Sequence, residues 1–148
     1  MKSLLDPVDR ARLSARFRSI RREAPARWGA LTAPGMLTHL CDQMRYTLGE
    51  FPVRIRSGPL QWPIIKPLMM YWVPWPRGRI KGSPEMFRSR PTTWNADLAS
   101  LEALVDRFIR DTDRGGWPEH PRFGSMTHRS WGGFCHRHFD HHLRQFGA

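Results

Sequence analysis

The sequence has only two cysteines among its 148 residues, Cys41 and Cys135, and they do not form a CxxC pair. Their number and spacing argue against a disulfide framework or a zinc ribbon, so we expect both thiols to fill core space in a reducing compartment. The N-terminus has no long apolar stretch, so we predict no signal peptide and a cytoplasmic location. The most apolar segment, residues 59–76, contains five prolines and Lys66, which argues against a membrane-spanning helix.

Several motifs of common enzyme classes are also missing. The chain has neither the phosphate-binding GxxxxGK[ST] loop nor the GxSxG turn of the α/β-hydrolases. The zincin motif HExxH fails because Phe139, and not glutamate, follows His138. Cys135 and His138 lie three residues apart, but nothing adjacent would lower the pKa of that thiol, so we do not favour a cysteine nucleophile.

Acidic residues are scarce, with 13 Asp and Glu against 24 Lys and Arg, which gives a formal charge of +11. All but three of the basic residues are arginines, and they are dispersed along the chain from Arg10 to Arg144. This dispersion favours a solvated basic surface over a dedicated nucleic-acid face, so we expect no nucleic-acid partner. A basic polyanion-binding module remains as an alternative function.

Capping residues and hydrophobic periodicity predict an all-α protein with four long helices. The predicted starts are Asp6-Pro7, Thr32-Ala33-Pro34, Thr92 or Thr93, and Thr127; the second helix should run to Gly49 and the third to Gly115-Gly116. The length suits one domain, residues 1–148, and the simplest architecture is a four-helix bundle. Between the second and third long helices we predict a short Pro-rich helix over residues 64–73 and a loop over residues 77–91 that covers a site.

Two further patterns carry structural expectations. The aromatic residues of the Pro-rich segment are expected to pack into the core, and the alternative is a subunit contact in a homodimer; they are Trp62, Tyr71, Trp72 and Trp75. Gly132 and Gly133 lie inside the last predicted helix, where each is unfavourable by about 1 kcal/mol relative to alanine. Their presence there indicates a close approach of another backbone.

The last helix carries the most informative pair, His138 and His142. Residues four apart lie on the same face of a helix, so the two imidazoles can reach one ion. Both fall on the stripe that contains Trp131 and Cys135 and that should face the interior. Buried imidazoles need water, hydrogen bonds or a cation as partners, so the pair is a candidate metal site. The alternative is a histidine-rich helix end at the surface, where cationic side chains are favoured by the helix dipole.

His39 is harder to interpret, because it does not lie on the apolar stripe of the second helix, which contains Leu37, Leu40, Met44 and Leu48. At 100° per residue it falls nearly opposite that stripe, beside Gln43. Either His39 is exposed, or the second helix is buried on two faces and His39 points into a polar pocket lined by Gln43. The residue pattern leaves both possibilities open.

A family resemblance adds to these residue-level observations. His39-Leu40, His138-x-x-x-His142 and Gln145 resemble the DinB/YfiT-like superfamily of metal-binding four-helix bundles. Three further segments resemble a subgroup of unknown function within it, namely His120-Pro121-x-Phe123-Gly124, Trp131-Gly132 and residues 140–147. The resemblance implies a divalent metal ion on His39, His138 and His142. Three neutral imidazoles with an open fourth position suit Zn²⁺ or Ni²⁺, and their affinity for metal should fall below a pH of about 6.5.

The resemblance also implies a function, because family members are similar to metal-dependent S-transferases that use small thiols such as bacillithiol, mycothiol or glutathione, and to a thiol-dependent maleylpyruvate isomerase. We therefore expect S-transferase-like or hydrolase chemistry on a small molecule. Asp42, Gln43 or Gln145 could orient the ligands through hydrogen bonds. Arg77 or Arg79 could hold a carboxylate of the substrate. A bundle whose metal or histidines are purely structural is the alternative.

Overall fold

A computed structural model describes residues 1–78, 82–112 and 114–148, and within these ranges the chain is all-helical. The long helices are α1 (Pro7–Ser19), α2 (Ala33–Thr47), α4 (Trp94–Arg110) and α5 (His128–Gln145). Between α2 and α4 lie a 3₁₀ turn (Pro59–Gln61), the short helix α3 (Ile65–Pro67), a π-helical turn (Leu68–Trp72) and a second 3₁₀ turn (Pro84–Phe87). The described residues contain no strand, which confirms the all-α prediction.

The helix starts follow the predicted caps. The side chains of Asp6, Thr32, Thr93 and Thr127 each accept a hydrogen bond from a backbone N–H in the first turn of the helix that follows. These bonds satisfy donors that have no partner within the helix. The predicted end of the third long helix was wrong, because α4 stops at Arg110, before Gly115-Gly116. Asp111 already leaves helical geometry at a ψ of 59°, and short polar side chains such as those of Asp111 and Thr112 favour turns over helix.

Helix α2 is the central element. It packs on α4, on α5 and on the 3₁₀ turn Pro84–Phe87. Because these neighbours surround it, twelve of its fifteen residues are buried, including polar ones on the side opposite the apolar stripe. His39 is 5% exposed, so the second of the two sequence-based alternatives for this residue is correct.

The Pro-rich segment forms a short helix close to the predicted position, but the prediction that all its aromatic residues are core was wrong. Trp62 is 60% exposed and Trp72 is 78% exposed, whereas Trp75 is partly buried and packs against Phe134. Ile64 and Trp72 also point to solvent, and Met70 is the one residue of this segment that is buried. The subunit contact stays a prediction. None of the described helices combines the length and hydropathy needed to cross a membrane.

The two glycines of α5 leave room for other parts of the chain to pack closely against the helix. The backbone N–H of Leu4 donates a hydrogen bond of 3.0 Å to the carbonyl oxygen of Gly132, so another backbone does approach the helix there. A Cβ atom at Gly132 would lie 2.7 Å from Ser3 Oγ, and one at Gly133 would lie 3.2 Å from the ring of Tyr71. The predicted close approach is therefore confirmed at Gly132, and at Gly133 the neighbour is a side chain.

Candidate metal centre

Three histidines from two helices converge at one point. Nε2 of His138 lies 3.2 Å from Nε2 of His39 and 3.0 Å from Nε2 of His142. The three donor atoms all lie within 4.8 Å of one another. The i,i+4 spacing places two of the imidazoles on α5, and the packing of α2 on α5 brings the third to them. The structure thus brings together all three of the histidines that the resemblance selected.

The hydrogen-bond partner of the His39 ring determines which of its two nitrogens carries the hydrogen. His39 Nδ1 lies 2.8 Å from the carbonyl oxygen of Met86. A carbonyl oxygen can only accept, so Nδ1 carries the hydrogen and donates it. Nε2, which faces the other two histidines, therefore has a free lone pair. The ring of Phe87 stacks on that of His39 with a centroid distance of 4.5 Å and fixes its plane.

The same logic applies to His142, through Gln145. The side-chain amide of Gln145 donates from Nε2 to the carbonyl oxygen of Trp28 at 2.6 Å, so its Oε1 is the atom that faces His142. That oxygen accepts a hydrogen bond of 2.8 Å from His142 Nδ1. Nε2 of His142 consequently also presents a lone pair to the cluster.

His138 cannot satisfy both neighbours. A hydrogen on its Nε2 could be donated to only one of the two lone pairs. A hydrogen on its Nδ1 would leave three lone pairs facing one another. Nδ1 itself is buried and has no hydrogen-bond partner among the described residues. In either tautomer the protein alone leaves at least one buried acceptor unsatisfied, whereas one cation would bind all three lone pairs.

The distances also suit a cation. Zinc binds imidazole nitrogen at about 2.0–2.1 Å, and in a tetrahedral site this corresponds to nitrogen–nitrogen separations of about 3.3–3.4 Å. Two of the separations, 3.2 Å for His39–His138 and 3.0 Å for His138–His142, are within a few tenths of an ångström of that geometry. The third pair, His39 and His142, is wider but lies within 4.8 Å, so a movement of these side chains toward each other would complete the geometry, and the residues present fit the group.

Burial keeps the three rings neutral, as metal ligands must be. It lowers the pKa of His39, although the Met86 carbonyl and Asp42 act in the opposite direction. It lowers the pKa of His142 to about 3, with His39 contributing. The pKa of His138 is lowered well below its ordinary value by burial and then by the neighbouring histidines.

Of the three residues predicted to orient the ligands, only Gln145 contacts one of them directly. Gln43 donates to Thr47 Oγ1 at 3.2 Å instead, although it lines the adjacent cavity as expected. Asp42 acts at a distance. Its Oδ2 accepts hydrogen bonds of 2.8 Å from the backbone N–H groups of both Arg88 and Ser89. These bonds anchor the segment that carries the Met86 carbonyl, and that carbonyl holds His39.

A cavity of about 560 Å³ opens beside the histidine cluster. Among the residues that line it are the three clustered histidines, His120, His141 and Arg122. The predicted covering loop does reach the site, because Met86 and Phe87 lie over His39. Of the two arginines expected to hold a substrate, Arg77 lies over the Trp28 ring at 4.7 Å, and Arg79 lies outside the described residues.

Sequence reasoning missed Arg122 and the Met86 carbonyl. A single exposed arginine among twenty-one carries no pattern, and a backbone carbonyl leaves no trace in the sequence. His120 was noted only as part of a motif. It lies in a turn between α4 and α5, outside any helix, so helical periodicity could not place it in the cavity.

The two cysteines are buried, as predicted. Burial raises the pKa of Cys41 and that of Cys135 to about 12. Neither side chain lines the cavity. Neither cysteine can therefore serve as a nucleophile at this site, because these thiols are protonated and inaccessible.

Comparison of the chain with models of protein families, with curated proteins and with solved structures finds no significant match.

Proposed function

We propose that this protein is a metal-dependent enzyme that acts on a small molecule, with a divalent ion, Zn²⁺ or Ni²⁺, held by His39, His138 and His142. The observation that carries the proposal is the convergence of three Nε2 atoms, two of them with their lone pairs directed at the cluster by fixed hydrogen bonds. We include in the proposal the DinB/YfiT-like four-helix-bundle assignment, which the four long helices and this ligand set support.

The residues divide the work as follows. His39, His138 and His142 supply three neutral nitrogen ligands, and all three line the cavity. Met86 and Gln145 hold two of the rings in the tautomer and orientation that binding requires. When bound, a divalent ion in such a site lowers the pKa of a coordinated thiol or water, which makes either a nucleophile at neutral pH.

The proposed reaction class is S-transfer with a small thiol as the nucleophile, or hydrolysis with water in the same role. Both fit the absence of an accessible thiol or an activated hydroxyl among the residues that line the described part of the cavity. The largely apolar wall, which includes Leu60, Met69 and Trp75, suits a small organic substrate.

The test is a metal titration of chelator-treated, untagged protein with Zn²⁺, Ni²⁺ and Co²⁺. We expect one ion per chain, and for Co²⁺ the strong visible absorption of a tetrahedral site. His39→Asn, His138→Asn and His142→Asn should each abolish tight binding. The matched control is His128→Asn, the same substitution on α5 at a histidine that hydrogen-bonds the Phe108 carbonyl.

Two results would contradict the proposal. One is metal binding no tighter than that of exposed histidines. The other is an equal loss of binding in His128→Asn. If metal binds, a screen of glutathione, bacillithiol and mycothiol conjugation against ester and amide hydrolysis separates the two reaction classes, and no turnover in either would leave a structural metal centre.

A further inference from the structure

The cavity beside the histidine cluster contains a second group of polar atoms, away from the metal site. His120 and Arg122 line it, together with Phe123 and Phe134. A volume of about 560 Å³ is within the range of small-molecule sites. No aspartate or glutamate lines the cavity among the described residues.

The turn that follows His120 fixes the orientation of its ring. Nδ1 accepts hydrogen bonds of 3.1 Å from the backbone N–H groups of both Arg122 and Phe123. The backbone bridge between His120 and Gly124 closes the same turn. Because Nδ1 accepts, the hydrogen of the neutral ring is on Nε2.

This Nε2–H group has no hydrogen-bond partner in the part of the chain that the structure describes. The residue is only 8% exposed, and its ring packs against both Phe123 and Phe134. Nε2 itself is not fully enclosed by protein atoms, so it is open to the cavity, where a ligand can supply the acceptor that the described residues do not. The ring stays neutral at physiological pH, since burial lowers the pKa of His120 to about 3.

Two basic side chains lie near this donor. Arg122 and Lys66 both contribute to lowering the pKa of His120, so both charges act on that ring. Lys66 donates to the carbonyl oxygen of Ser125. The Arg122 side chain is exposed at the cavity and has no hydrogen-bond or ion-pair partner among the described residues. Glu119 is exposed and does not line the cavity, but its charge acts on Lys66, so Arg122 is the cation without an acidic partner in the described part of the chain.

We propose that His120 Nε2–H and the Arg122 guanidinium bind the carboxylate of a small, largely apolar acid whose body lies along Phe123 and Phe134. A guanidinium fork matches a carboxylate, and the imidazole supplies a further donor. An apolar acid satisfies the charged rim and the apolar wall together. As a statement of substrate class this inference rests on the proposed function, whereas the binding itself does not require the metal.

The distance between the His120–Arg122 pocket and the histidine cluster indicates how long the ligand should be. Phe134 packs against both His120 and His138, with ring centroid distances of 4.4 and 5.7 Å. A single phenyl ring therefore separates the carboxylate pocket from the metal cluster. An acid about as long as 3-phenylpropionate could occupy the pocket and still present its far end to the cluster.

The experiment compares 3-phenylpropionate with its neutral amide, 3-phenylpropanamide, by calorimetric titration of the full chain in chelator and after loading with Zn²⁺. We expect the acid to bind at least about tenfold more tightly than the amide in both states. Arg122→Gln should remove most of this preference. His120→Asn should weaken acid binding by about fivefold or more, because the asparagine oxygen can still accept the two turn N–H groups while the Nε2–H donor is lost.

The control is Arg129→Gln, which removes the same charge from an exposed position on α5 that does not line the cavity. Equal binding of acid and amide would overturn the inference, and so would an equal effect of Arg129→Gln and Arg122→Gln, because the net charge alone would then explain the preference. If His120→Asn fails to fold, Arg122→Gln decides the question, since the Arg122 side chain is exposed and makes no hydrogen bond or ion pair with the described residues. Acid binding that persists in chelator while the metal titration fails would refute the metal proposal alone; the reverse result would refute this inference alone.

Discussion

Gln145 accepts a hydrogen bond from His142 Nδ1 at 2.8 Å and so determines which nitrogen of that ring faces the cluster. The amide can do this because the Trp28 carbonyl holds its NH₂ group. Gln145 thereby links α5 to residue 28, in the segment between α1 and α2. One side chain three residues from the ligand therefore sets both the tautomer and the orientation of His142.

Gln145→Leu should weaken Zn²⁺ binding by about 10- to 100-fold, the usual effect of removing a hydrogen-bond partner from a metal-bound histidine. Gln145→Glu is the matched variant, because it keeps an acceptor for His142 Nδ1 while losing the donor to Trp28. We expect Gln145→Glu to bind Zn²⁺ more tightly than Gln145→Leu does, with an affinity close to that of the parent protein. Competition with a chromophoric chelator measures all three affinities, and equal affinities for the parent and Gln145→Leu would contradict the role assigned to Gln145.

Asp42 is expected to support metal binding without contacting the ligands. Asp42→Ala removes the acceptor for the N–H groups of Arg88 and Ser89, which frees the segment that positions the Met86 carbonyl against His39. We expect a loss of Zn²⁺ affinity in addition to a loss of stability of about 1–3 kcal/mol.

The control for this prediction is Asp97→Ala. Asp97 is another buried carboxylate that accepts from the backbone N–H and hydroxyl of one nearby residue, Thr92, but it lies at the start of α4 and outside the cavity lining. It should lower stability by a similar amount and leave Zn²⁺ affinity unchanged in the folded protein. If both variants lose affinity equally, the Asp42 effect is one of general stability.

The sequence could predict part of this site. The spacing of His138 and His142 selects a helix face, and the caps at Asp6, Thr32 and Thr127 define where three helices begin. These features are local, so the residues themselves carry the information. Helix lengths and starts were therefore largely right, apart from the end of α4.

The remaining features depend on contacts between distant segments. Periodicity finds one apolar stripe per helix, and it could not show that α2 is buried on two faces, which is what directs His39 to α5. The same limit explains Trp62 and Trp72. Their composition predicts core, but their segment lies against the bundle through Met70 and leaves these two rings in solvent.

The metal-free protein should lose stability as the pH falls below about 6.5. The pKa values of His39, His138 and His142 are lowered in the folded state, whereas in the unfolded chain they return to about 6.5. Below that pH the unfolded state binds protons that the folded state does not. Each such histidine then decreases the free energy of unfolding by up to about 1.4 kcal/mol per pH unit, until the pH reaches its folded-state pKa.

Urea unfolding in chelator at pH 7.5, 6.5 and 5.5 measures this effect, and His142→Asn should reduce the slope between the two lower pH values. A free energy of unfolding that is constant or rises towards pH 5.5 would contradict it.

The same lowered pKa values change one expectation drawn from the sequence. Proton competition for the metal ligands should begin well below pH 6.5, so Zn²⁺ should stay bound at a pH where exposed histidines release it.

Gly132 should be the glycine of α5 that least tolerates a side chain. A Cβ atom there would lie 2.7 Å from Ser3 Oγ and 3.0 Å from Leu5 Cγ. Ser3 cannot move away freely, because its Oγ accepts from the N–H of Leu5 and its own N–H donates to Asp9. Gly132→Ala should therefore detach the N-terminal segment or strain the helix. The expected penalty of about 1–3 kcal/mol exceeds the gain of about 1 kcal/mol from better helix propensity.

The matched control is Gly115→Ala, because a Cβ atom at Gly115 meets nothing within 4 Å and the residue does not have a positive φ. We expect that variant to be neutral or slightly more stable, since alanine restricts the unfolded chain more than glycine does. Thermal unfolding of the two variants in the same buffer distinguishes them. A stability of Gly132→Ala equal to or above that of Gly115→Ala would show that residues 3–5 do not pack against α5, because only that packing opposes the gain in helix propensity.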